Sequence, residues 1–187
     1  MVNKEHLISL EKTTPIRGIF NVELKSPIIS GDCTIERHPR LDLVILKKSG
    51  SILGTDQPSY ITGHNPGLLD IDFRSILIIG LGLGVIPYVV QDFCAVVDVV
   101  ESQQDVINCV NQLGHLNPNV NLILGDIETY VTEKAYDVIV LDIWYREIAE
   151  ELSNRMIEKY TQFLNAGGFL YIPINEGVRE DKVKIYK

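Results

Sequence analysis

Three glycines and three carboxylates fall at the ends of apolar runs, in an order that could hold a nucleoside. Ile76 to Val89 reads ILIIGLGLGVIPYV, an apolar strand that stops at Gly80, Gly82 and Gly84 and then turns helical. Glycines there let the backbone come close to a ligand, and the helix that follows offers free N–H groups and a positive dipole end. Glu101, Asp126 and Asp142 each follow a further apolar run. A carboxylate at Glu101, 21 positions after Gly80, can accept hydrogen bonds from both hydroxyls of a ribose. Asp126 could accept from an adenine exocyclic amine while Ile127 packs on the ring, and Asp142 could hold a cation or take a proton. A dinucleotide fingerprint wants glycine or alanine at the sixth position of G-x-G-x-x-G, where this chain has Val85. The spacing therefore suits a nucleoside without a pyrophosphate. Any one acid also has a plain structural explanation, because chains become solvated at strand ends and Asp caps helices. The ordered series is what argues for a ligand.

The elements that must position these groups change character near Arg74. Before it lie short, alternating, β-branched segments: Gly18 to Leu24, Ile28 to Glu36, Leu41 to Lys47 and Ser51 to Gly54. Turn material around Gly31, Pro39 and Gly50 separates them, which reads as antiparallel hairpins. From Ser75 onward apolar strands alternate with amphipathic helices. Strands are expected at 75–79, 95–100, 120–124, 136–141 and 169–174. A capping box, Ser102-x-x-Asp105, opens a helix that stops at Gly114. Ile148, Leu152, Met156 and Tyr160 recur at helical spacing, and the segment 165–168 is expected to end that helix. Wholly apolar strands alternating with helices imply a parallel sheet covered on both faces. The expected fold is α/β, a Rossmann-like, mostly parallel sheet (75–187) preceded by a small antiparallel β appendage (1–74).

Composition narrows the partners. A net charge of −8 disfavours a nucleic-acid partner, which needs clustered Lys and Arg, and suits a small, cationic molecule. Three cysteines, without a C-x-x-C pair, read as reduced thiols in a cytoplasmic protein. No early apolar stretch forms a signal peptide, and the longest apolar run is too broken to span a bilayer. No metal site is expected.

Ile76 to Pro87, Val99 to Glu101, Leu124 to Asp126 and Tyr136 to Asp142 resemble class I S-adenosylmethionine-dependent transferases, most closely the spermidine synthase-like branch. Pro87 just inside the helix, the segment Leu164 to Leu170 and the β appendage are similar to that branch as well. The resemblance covers about residues 41–174 and is specific from 75 to 142. It implies that Gly80, Gly82 and Gly84 line the sulfonium ligand, S-adenosylmethionine or its decarboxylated form. Glu101 would hold the ribose, Asp126 the adenine with Ile127, and Asp142 would face the reacting amine of a small-molecule acceptor. It also implies two more strands and helices after Ile174, where only thirteen residues remain. The sheet is thus expected to be truncated at its C-terminal end, with Val183 to Tyr186 as one further strand and an edge for another subunit in a homo-oligomer.

The chain departs from the polyamine-forming pattern in several places. After Asp142 it reads Ile143-Trp144-Tyr145-Arg146 rather than a Ser/Thr-rich segment ending in Asp-Pro. Leu53 stands where a glutamine is expected, Gln103 where a second acid is usual, and Tyr60 to His64 replaces a Tyr-His-Glu run. Asp142 to Tyr145 resembles in part the Asn/Asp-Pro-Pro-Tyr segment of amino-methyltransferases, without the prolines. Trp144 and Tyr145 would then form a stacking wall with Tyr145 catalytic beside Asp142, or else pack under the next helix. His64 and Tyr60 reach the site from the appendage or are structural. The readings left open are methyl transfer to an amine, aminopropyl transfer, and a non-catalytic nucleoside-binding or assembly module.

Overall fold

The computed structural model describes residues 4–11, 17–62, 68, 73–142, 150–172 and 185–186. A helix, α1 (Lys4–Glu11), is followed by four strands, β1 (Ile28–Ser30), β2 (Cys33–Arg37), β3 (Val44–Lys48) and β4 (Ser51–Thr55), paired antiparallel in chain order. Gly31 and Gly50 turn the two tight hairpins with positive φ. The expected strand at Gly18 to Leu24 is instead an irregular segment outside the strand ladders. Its N–H groups find other acceptors: Gly18 donates to the Asp42 carbonyl (2.7 Å), Ile19 to the Asp56 carbonyl (2.9 Å) and Phe20 to the Asp56 carboxylate (3.1 Å). A buried side chain thus satisfies part of the backbone that a strand partner would otherwise satisfy.

After a short helix, α2 (Ser59–Thr62), come β5 (Ser75–Ile79), α3 (Val85–Val90), β6 (Val96–Glu101), α4 (Gln104–Leu113), β7 (Val120–Leu124), β8 (Tyr136–Leu141), α5 (Glu150–Thr161), β9 (Leu164–Tyr171) and β10 (Ile185–Tyr186). They form one sheet in the order β10-β9-β8-β5-β6-β7, parallel except for β10. The chain runs outward from β5 to β7, then restarts on the other side of β5 at β8. That reversal opens a crevice at the carboxyl ends of β5 and β8. This is the Rossmann-like α/β architecture the sequence implies, with the separate antiparallel sheet before it.

Three local details differ from expectation. The capping box does not form: Gln103 is the N-cap of α4 without a side-chain cap bond. The Ser102 hydroxyl turns back to Glu101 (3.3 Å), and Asp105 accepts from Ser30 Oγ of the antiparallel sheet (2.7 Å). The segment 165–168 does not end α5 but belongs to β9, where the register slips between Tyr136 and Val138. Gly167 takes φ +79, and the Asn165 amide donates to Asp137 (2.8 Å), so the extra residues bulge out of an otherwise continuous pairing. At the C-terminal side, β10 pairs with β9, Ile185 opposite Leu170 and Tyr186 opposite Phe169, so that edge is partly covered within the chain.

The two sheets share a core. Cys33, Ile35, Val44 and Leu46 of the antiparallel sheet belong to one buried cluster with Ile76, Ile78, Val97 and Val99, through Val106, Cys109 and Val110 of α4. Leu77, Ile79, Ile139 and Leu141 face the other way, against Met156 and Tyr160 of α5. The change of grammar near residue 74 therefore marks a change of sheet within a continuous hydrophobic interior. The three cysteines are free and buried.

Candidate functional site

The crevice contains a cavity of about 280 Å³. Its walls come from Ile79, Gly80 and Gly82 at the end of β5 and just after it, Val100 to Gln103 at the end of β6 and just after it, Val106 of α4, Gly125 and Ile127 after β7, and Asp142 after β8. Most of the residues singled out by spacing thus converge on one space. Gly84 lies behind it: it is the left-handed N-cap of α3 (φ +79), and a side chain there would press on His115.

Gly80 and Gly82 are required for different reasons. Gly80 has φ +98, and a Cβ there would sit 2.2 Å from the Asp142 carbonyl oxygen. It lets β5 and β8 close against one another at the crevice. Gly82 (φ +50) faces open space, with no heavy atom within 4 Å of where its Cβ would be. A side chain there would project from the cavity wall into the open space.

Glu101 is 9 % exposed and already holds two loops together. Its Oε2 accepts the Leu81 N–H of the glycine turn (3.1 Å), and its Oε1 accepts the Gln103 N–H at the start of α4 (2.9 Å). The Ser102 hydroxyl also donates to Oε1 (3.3 Å), so of the about four lone-pair positions of a carboxylate one is left open among the described residues. This double duty is invisible in the sequence, where Glu101 reads only as an acid at a strand end.

Asp126 is placed at the rim. Gly125 and Ile127 on either side line the cavity, while Asp126 is exposed and its Oδ1 accepts the Glu128 N–H (2.7 Å) in an Asx turn. Asp142 is 9 % exposed, and its N–H donates to the Ile79 carbonyl (2.8 Å). It also borders a second, smaller cavity of about 20 Å³ between Leu53, Gly54 and Thr55 of β4 and Leu81, Leu83 and Val85. Gly82, Leu53 and Asp142 line both spaces, so the smaller cavity adjoins the larger one on the side of the antiparallel sheet. Tyr145, Trp144 and His64 lie outside the described residues, as does the side chain of Tyr60.

Two features were not anticipated. Leu53, noted in the sequence only as a departure, is a wall of the cavity, and the Lys48 ammonium of β3 reaches across to the Gln103 amide. The antiparallel sheet is therefore part of the site. Behind the glycine turn, His115 is 8 % exposed, with its ring 4.3 Å from Phe20 and 5.7 Å from Tyr88, and among the described residues neither nitrogen has a hydrogen-bond partner. Burial pushes its imidazole down to about 4, although the Leu83 and Gly84 carbonyls near it favour the charged ring. Among the described residues no cluster of three or more His, Cys, Asp or Glu side chains forms a metal site, and no helix is long and apolar enough to cross a membrane.

No family model matches the sequence, and no curated protein matches it. Solved structures do match the fold. The N-methyltransferase NodS from Bradyrhizobium japonicum WM9, in complex with S-adenosyl-L-homocysteine, superposes with a TM-score of 0.50 at 20% identity, over 56% of this chain and 54% of that one. The DhpI–SAM–HEP complex gives 0.53 at 15% identity, over 61% and 53%. The DhpI–SAH complex gives 0.53 at 15%, over 61% and 55%. The chain thus spans little more than half the length of these neighbours. The shared fold is the Rossmann-like fold of S-adenosylmethionine-dependent methyltransferases, and these neighbours lend no support to the spermidine synthase-like branch.

Proposed function

We propose that this chain binds S-adenosylmethionine and transfers its methyl group to a small acceptor, an amine. The observation that carries this reading is the single cavity in which Gly82, Glu101, Ile127 and Asp142 meet at the ends of four adjacent parallel strands. The residues fit the nucleoside: an open glycine cradle, a buried carboxylate with acceptor capacity left, and an apolar side chain beside an exposed acid. When bound, S-adenosylmethionine supplies an electrophilic methyl group on a positively charged sulfur.

The chain's own residues contribute alignment and proton handling. Glu101 holds the ribose while staying tied to both flanking loops, so the nucleoside is oriented by a rigid group. Asp142 stands where the large cavity meets the smaller one, and accepts a hydrogen bond from the acceptor nitrogen. In that role it keeps the lone pair directed and takes the proton released when the new N–C bond forms. The buried Leu81, Leu83 and Val85, with the partly exposed Leu53, make this junction apolar and favour an apolar group next to the amine. Tyr145 is proposed as an aromatic partner for that group.

Aminopropyl transfer from the decarboxylated nucleoside is the weaker reading. Two of its departing positions, Leu53 and Gln103, are cavity walls, one a hydrocarbon and the other an amide bonded to Lys48. Calorimetry with S-adenosylmethionine, its decarboxylated form, methylthioadenosine and NAD separates the readings. Methyl transfer predicts micromolar binding of S-adenosylmethionine, weaker binding of the decarboxylated form and none of NAD. Failure to bind any of the three sulfur nucleosides refutes the proposal. Binding without turnover over a panel of amines favours a nucleoside-binding module instead.

A further inference from the structure

Helix α5 reaches under the sheet to grip the loop that follows β7. The Lys159 ammonium donates to the Ile127 carbonyl (2.9 Å) and the Glu128 carbonyl (2.7 Å), and the Tyr160 hydroxyl donates to the same Ile127 carbonyl (2.8 Å). Tyr160 is fully buried, with the Phe163 ring 6.1 Å away in an edge contact. The peptide unit between Ile127 and Glu128 is thus held from both sides. Its carbonyl accepts from the lysine and the phenol, and its N–H donates to Asp126 Oδ1 (2.7 Å). Two further N–H groups, of Thr129 (3.2 Å) and Tyr130 (2.7 Å), close on the Asp126 carbonyl. Among the described residues nothing donates to the second carboxylate oxygen of Asp126.

We infer that Lys159 and Tyr160 are positioning residues for base recognition: by fixing the Ile127–Glu128 peptide they orient the Asp126 carboxylate to read an exocyclic amine on the bound base. The inference rests on the nucleoside reading above and adds which groups select adenine. A surface loop carrying an exposed acid would otherwise sample many orientations, and a charged donor on two successive carbonyls removes that freedom. Lys159 is half-buried, and its ammonium also faces Asp126 and Glu128, the two acids of the loop it clamps. A lysine serving only solubility would extend into water.

The test compares S-adenosylhomocysteine with S-inosylhomocysteine, in which the amine is replaced by a carbonyl. Affinities are measured by calorimetry on the full chain and on Lys159→Met, Lys159→Arg and Tyr160→Phe, alongside melting temperatures. The wild type should prefer the adenine form by about tenfold or more, the range for a hydrogen bond to a charged group. Lys159→Met should shrink that preference toward unity, Tyr160→Phe should reduce it in part, and Lys159→Arg should restore it. Variants that lose affinity for both nucleosides equally, or that keep the wild-type preference, overturn the inference. So does a wild type that binds both forms alike, which would leave the nucleoside reading standing. A wild type that binds neither overturns both. Tyr160→Phe keeps the buried ring, so the test survives if Lys159→Met fails to fold.

Discussion

Two buried groups on either side of Phe20 should cancel each other's effect on stability, and removing either one should expose the other. Asp56 is 0 % exposed, and burial pushes its carboxyl from 3.8 up to about 6, against the Val44 and Phe20 N–H groups that favour the anion. His115 is pushed by burial from 6.5 down to about 4. A raised carboxyl contributes stability that is present below its unfolded value and lost as pH rises through 6. A depressed histidine contributes stability that is present above 6.5 and lost as pH falls toward 4. At about 1.4 kcal/mol per unit, each shift of about two units is worth about 3 kcal/mol, with opposite signs. Roughly 2 kcal/mol of each falls between about pH 4.5 and about pH 7. Asp32, Asp98 and Asp137 have lowered values, so the stability they contribute is lost only in more acid solution, below this window. Urea unfolding across the window should give a nearly flat profile for the wild type. Asp56→Asn should gain about 2 kcal/mol as pH rises, and His115→Leu should lose about as much. The double variant should be flat again. Two flat single variants, or slopes with the signs exchanged, would refute the reasoning.

Other expectations follow from the site. Glu101→Gln turns an amide N–H₂ toward the Leu81 or Gln103 N–H, so melting should show a loss of about 2 kcal/mol. Calorimetry on the same variant should show at least about tenfold weaker S-adenosylhomocysteine binding. Gly80→Ala forces a Cβ against the Asp142 carbonyl at φ +98 and should destabilise by about 2 kcal/mol or more in chemical denaturation. Asp142→Asn should leave nucleoside affinity within about threefold while lowering single-turnover methyl transfer by about a hundredfold. Equal losses in binding and turnover would remove Asp142 from the proton-handling role.

The parts legible in the sequence are those whose cause is local. Five apolar strands declare themselves because a parallel strand buried on both faces has little room for polar residues, as in β5 and β8. The acids at their ends follow from position alone. What stays hidden depends on partners far along the chain. Ser102 and Asp105 have the spacing of a capping box, yet Glu101 and Ser30 claim them. Gly18 to Leu24 alternates like a strand, yet its N–H groups go to Asp42 and Asp56. Lys159 and Tyr160 look like ordinary positions of an amphipathic helix, while their donors end on a loop more than thirty residues earlier. Short-range pattern cannot report a hydrogen bond whose acceptor is chosen by the fold.

The same logic explains why the antiparallel sheet matters to the site. Its hydrophobic face is merged with the parallel-sheet half through α4, and Ser30 fastens it to Asp105 and Asn108 on that helix. Helix α4 begins at Gln104, three residues after Glu101, which itself bonds the Gln103 N–H. A displacement of the antiparallel sheet is therefore passed to the start of α4, to Glu101 and through it to Leu81 in the glycine turn. Leu53 moves with the same sheet and forms the wall next to Asp142. The same sheet thus carries both a contact to the helix that follows Glu101 and a wall of the two cavities. Substitutions that loosen it, such as Ser30→Ala, should weaken nucleoside binding and acceptor selectivity together, although Ser30 itself is not among the residues lining either cavity.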